Sequence, residues 1–75
     1  MVKADKTLDI QGLVHPRSRA VIEMTMDGLD PGQALNVITN DISTKESVPL
    51  LCSYHGYTLL EARGERGTYS FTIRK

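Results

Sequence analysis

Glycine and proline cut this chain into short pieces: Gly12 and Pro16, then Asp30-Pro31-Gly32, then Gly56, then Gly64 and Gly67. These residues interrupt regular structure, so the pieces between them have room for a strand, a modest helix or at most one of each. Seventy-five residues make a single domain, and a chain of this size buries only roughly 60% of the surface it exposes when unfolded. All the pieces must therefore share one core.

Residues 1–6 are polar and are expected to be flexible, leaving 7–75 as the folded domain. Leu8 and Ile10 alternate with Thr7 and Asp9 as a short half-buried strand, and Gly12 supplies the turn after it. Pro16 suits the first position of a helix, where its missing N–H is not needed, and no breaker follows until about Asp27. Ala20, Val21, Met24 and Gly28 recur at helical spacing, which predicts the face packed on the sheet, with Gly28 ending the helix.

Asp30-Pro31-Gly32 is a turn, Leu35–Thr39 reads as a strand buried on at least one face, and Asn40-Asp41 closes it. Ser43-Thr44-Lys45-Glu46 fits a capping box. Pro49 then implies either a kinked second helix or a turn followed by a helix from Pro49 to His55, ended by Gly56. Val48, Leu51, Cys52 and His55 form its inner stripe. Tyr57–Arg63 and Thr68–Arg74 are β-rich runs joined by Gly64-Glu65-Arg66-Gly67, with Tyr69, Phe71 and Ile73 on one side of the sheet and Ser70, Thr72 and Arg74 on the other. The order β-α-β-α-β-β predicts an α/β (α+β) two-layer sandwich, a four-stranded mixed sheet with two helices on one face.

Nine basic and nine acidic residues cancel, so the chain has no excess of positive charge with which to neutralise phosphates, and a nucleic-acid partner is disfavoured. The first residues have no apolar core and no run approaches the span of a bilayer, which argues against a leader or a membrane anchor. A single cysteine cannot form an internal disulfide, making the reducing cytoplasm the expected compartment. His15, His55, Cys52 and Asp41 have no metal-ligand spacing, and neither a metal nor a cofactor is expected.

The segment Leu8-Asp9-Ile10-Gln11-Gly12-Leu13-Val14-His15-Pro16 resembles the opening of the TusA/SirA-type sulfur carriers, L-D-x-x-G-L-x-C-P. The likeness continues without a gap: Pro31-Gly32 follows the first helix, Val37-Ile38-Thr39-Asn40-Asp41 looks like the family's V-I-T-D-D strand end, Ser43-Thr44 and Val48-Pro49 match its second helix, and Ser70–Lys75 its closing strand. Departures gather at one place. His15 stands where the family has its reactive cysteine, Ser18 where many members have a second proline, Arg17 where an acidic residue is common, and Asn40 where the first of two aspartates is usual.

The resemblance implies the same sandwich, and a tip at the start of the first helix built from residue 15 with Gly12, Pro16, Arg17 and Asp41. In the family that cysteine takes sulfur from a cysteine desulfurase as a persulfide and passes it on. A helix N-terminus suits the task, because its free amides and positive dipole end stabilise a sulfur anion. Imidazole forms no persulfide, so His15 is the position at issue and whether the chain is an enzyme is left open. The dipole end favours neutral imidazole, which can serve as ligand, base or nucleophile, or as a plain turn residue.

The expected function is thus a sulfur-carrier-like protein without the persulfide cysteine, a non-catalytic partner or regulator whose own partners are proteins such as a desulfurase or other relay members. An active transferase working through Cys52 or a partner's thiol is one alternative, although Cys52 on an apolar stripe reads as buried. A phosphocarrier is another, because His15-Pro16-Arg17 looks locally like the site of the HPr phosphocarriers.

Overall fold

The computed structural model describes residues 3–75. The breakers fall where the chain turns, giving β1 (Lys6–Asp9), α1 (Arg17–Asp27), β2 (Ala34–Thr39), α2 (Ile42–His55), β3 (Thr58–Glu65) and β4 (Thr68–Arg74). The four strands form one sheet in the order β1-β2-β4-β3. β1 runs parallel to β2, and the other pairs are antiparallel. Both helices pack on the same face, where Leu35, Val37, Phe71 and Ile73 meet Ile22, Met26, Val48 and Leu51 in the expected sandwich.

The two ends of β1 differ from the expectation at its margins. Met1 and Val2, part of the stretch expected to be flexible, lie outside the described residues. Within the rest of that stretch, Asp5 N–H donates to Ala34 O at 2.9 Å and Asp5 Oδ2 accepts from Ala34 N at 2.8 Å, and the strand already starts at Lys6. A side-chain carboxylate thus does what one more strand residue would have done.

α1 buries a different face from the one its apolar residues predict. Ser18, Ile22 and Met26 are its buried positions, whereas Met24 is 73% exposed and Ala20 and Gly28 are also exposed. Apolar residues lie all round this helix, so two frames were open. The deciding residue is a serine, fully buried because its hydroxyl has a partner across the helix layer. The helix itself begins at Arg17, with Pro16 in the cap position, and ends as expected before Gly28.

α2 is one continuous helix from Ile42 to His55, with Pro49 on its exposed side. Its cap is Asp41 and not Ser43: Asp41 Oδ2 accepts from Thr44 N at 2.9 Å. Gly56, at φ +76°, ends the helix in the left-handed conformation that glycine adopts without a Cβ penalty. Val48, Leu51 and Cys52 are buried as expected, while His55 sits at the margin and pairs with Glu23.

The hairpin is tighter than the four residues Gly64-Glu65-Arg66-Gly67. Glu65 still pairs with Thr68, leaving Arg66 and Gly67 as a two-residue turn, both with positive φ. On the sheet's open face, Asn36 Nδ2 donates to Ser70 Oγ at 3.2 Å and to Thr72 Oγ1 at 3.1 Å, which lets Thr72 be buried without losing its hydrogen bonds.

Candidate functional site

β1 and β2 end side by side, and the helices α1 and α2 both start from that edge, so the topology alone brings residues 9–18 and 39–45 together. Gly12 turns the chain with φ +93°, a left-handed value that favours glycine, and its N–H donates to Asn40 Oδ1 at 3.0 Å. His15 N–H donates to Asp41 Oδ2 at 3.1 Å. The chain then enters α1 through a cis His15–Pro16 peptide. His15, Pro16 and Arg17 are all exposed.

Asp41 is the hub of this tip. The same Oδ2 accepts Thr44 N–H, Thr44 Oγ1–H at 2.7 Å and His15 N–H, while Asp41 N–H donates to Thr39 Oγ1. The bond from the Thr44 hydroxyl, followed by that from the His15 amide, holds the Asp41 carboxyl below the usual range and keeps it ionised. Behind it, Ser18 Oγ lies 2.6 Å from Thr44 Oγ1, and both residues are fully buried. Thr44 has one hydroxyl hydrogen and gives it to Asp41, so Ser18 must donate to Thr44. A directed chain of hydroxyls therefore links the inside of α1 to the carboxylate beside His15.

The structure thus brings together Gly12, His15 and Asp41 of the expected tip and puts Pro16 beside them as the cap of α1. Arg17 opens α1 with its side chain in solvent. Thr44 and Ser18 complete the arrangement, beyond the residues that the sequence marks for the tip. An aspartate three residues ahead of a threonine was the signal for Thr44, whereas nothing in the sequence ties Ser18 to a residue 26 positions away.

Cys52 is 3% exposed, and burial pushes its thiol up. It lies ten residues into α2, about 15 Å along the axis from the tip end of that helix. Among the described residues, no three of His, Cys, Asp and Glu gather as metal ligands, and no helix is long and apolar enough to cross a membrane.

A family model described as Sulfurtransferase TusA matches residues 6–75. The chain belongs to the TusA family. Relatives named sulfur carrier protein TusA agree: that of Pseudomonas paraeruginosa is 38% identical over 71 residues, covering 95% of this chain and 90% of the relative. That of Pseudomonas putida strain W619 is 37% identical, covering 95% and 89%. In fold, the chain is similar to the crystal structure of a SirA-like protein from Desulfitobacterium hafniense, with a TM-score of 0.80 at 20% identity, over 92% of this chain and 95% of that one. Within this TusA-type scaffold, position 15 holds an imidazole and the one thiol lies on the buried face of α2.

Away from the tip, His55 Nε2 lies 2.7 Å from Glu23 Oε2 and joins the two helices, with Tyr57 stacked on the imidazole at 5.0 Å. The hydrogen bond from His55 is the main reason that the Glu23 carboxyl titrates below its ordinary value of 4.5, with Arg19 adding to it and burial opposing. A lowered carboxyl stabilises the fold fully above the unfolded value and loses that contribution as pH falls through the folded one. Glu23→Gln is therefore expected to cost about 0.2–1 kcal/mol at pH 7 and nothing at pH 2, measured by urea unfolding at both.

Proposed function

We propose that this chain works in a sulfur relay as a docking partner or regulator built on a carrier's scaffold, and holds no persulfide itself. The observation that carries this reading is the pairing of His15 at the head of α1 with a buried Cys52 as the only thiol. Sulfane sulfur needs a thiolate that a second thiol can reach, and a buried, raised thiol offers neither charge nor access. The same burial argues against transfer through Cys52. The tip keeps its backbone geometry, with Asp41 fixing the amide of residue 15. Val14 and Ile42 stand exposed near it, and Leu50 and Tyr54 are exposed further along α2, beyond Glu46. These residues suit contact with proteins of the relay, a cysteine desulfurase among them.

The test is to incubate the native protein with a cysteine desulfurase and cysteine, and to weigh the intact chain. No added sulfur atom is expected, and Cys52 should resist alkylation at neutral pH until the chain is unfolded. A sulfur atom found on Cys52 of the folded protein would overturn the proposal and support an active transferase.

A further inference from the structure

Ala62 and Gly64 of β3 pair with Phe71 and Tyr69, which places them on the helix-facing side of the sheet, yet both are exposed. The helix layer thus stops short of the hairpin. A cleft of about 500 Å³ opens there between Lys45 in α2 and the β3–β4 turn, floored by Ala62, Gly64, Tyr69 and Phe71. Any side chain at Gly64 would meet the Tyr69 ring, since a Cβ would lie 3.0 Å from Cδ1, so glycine keeps this floor open. Lys45 Nζ stands 5.0 Å above the Tyr69 ring. Lys45 and Arg66 line the cleft against the one acid Glu65, whereas Arg63, also on its wall, is engaged by Glu61 with its Nε 3.7 Å from Oε2, which leaves a small local positive excess in a chain of zero net charge.

The cleft adjoins an edge. β4 flanks β3 on one side, and among the described residues no strand flanks the other. The register slips between Leu59 and Glu61, and from Glu61 to Glu65 the strand runs regularly beside the cleft. Unpaired backbone groups on such an edge accept a further strand, and an excess of one charge in the cleft beside it selects the charge of what is added.

We infer that the Glu61–Glu65 edge and its cleft bind an extended acidic segment of a partner protein, which adds as a fifth strand beside β3 and sets its carboxylates against Lys45 and Arg66. An edge of free amides and carbonyls favours a peptide over a free anion, because only an extended backbone can use it. The site is separate from His15 and stands whether or not sulfur is ever carried.

The test is an amide NMR titration of the full chain with a blocked heptapeptide alternating glutamate and valine. Signals from Glu61 to Tyr69 should move, and exchange along β3 should slow. Lys45→Gln combined with Arg66→Asn, which removes two charges while asparagine tolerates the positive φ, should weaken binding roughly three- to tenfold. Methylating alternate peptide nitrogens should abolish it. Four results would each overturn the inference: equal binding of the glutamine counterpart, equal binding of the methylated peptide, the same shifts from inorganic phosphate alone, or no movement along β3 at millimolar peptide.

Discussion

His15→Cys is expected to take up a single sulfur atom at position 15, where the parent chain is expected to take up none. Residue 15 leads directly into α1, whose first turn has no acidic residue and whose positive dipole end favours an anion there. One group opposes this: Asp41 accepts the backbone N–H of the same residue at 3.1 Å and is ionised. The new thiol should therefore react with iodoacetamide faster than Cys52 but gain further speed when Asp41→Asn removes the neighbouring charge. The measurement is intact mass after incubation with desulfurase and cysteine, with Cys52→Ser included to assign the site. A His15→Cys chain that folds and stays unloaded would mean that the docking surface has gone along with the thiol, and the proposed function would fail with it.

The second large effect concerns stability. Thr44→Val keeps the shape of the side chain and removes the hydroxyl that both serves Asp41 and receives Ser18. Ser18 is then left with a buried hydroxyl and no partner, which costs about 1–3 kcal/mol. For a domain of this size that corresponds to a fall in Tm of roughly 4–8 °C per kcal/mol. Ser18→Ala on top of Thr44→Val should restore part of the loss, because it removes the orphaned group. Strict additivity of the two changes in thermal unfolding would show that the hydroxyl chain is not an energetic unit.

Elements and their order were legible because Gly12, Pro31-Gly32, Gly56 and Gly67 mark real turns, and because the alternation of Phe71 and Ile73 with Thr72 sets the sheet's two faces. Faces and caps were less so. On α1 the apolar residues admit two helical frames, and the true one is fixed by Ser18, whose polarity argues for solvent until its partner Thr44 is known. At α2, a capping-box pattern starting at Ser43 competed with Asp41, which wins because it can also hold His15 from its place at the end of β2. The hairpin is shorter than its glycines suggest, since Gly64 lies within the strand opposite Tyr69, where a Cβ would come within 3.0 Å of the ring. As for the site, Gly12, His15 and Asp41 could be placed by their family pattern, whereas the buried link behind them depends on packing across 26 residues of sequence.

The strand that lies between β2 and β3 is also the last of the four to be translated. Until it leaves the ribosome, β3 has no neighbour in the sheet, and Leu35 and Val37 of β2 lack Ile73 and Phe71, the residues beside them in the core. Pairing β2 with β4 joins residues thirty or more positions apart, such as Val37 with Phe71. Such a topology folds late and as a whole, so nascent chains halted before residue 68 should remain clients of chaperones rather than fold piecemeal.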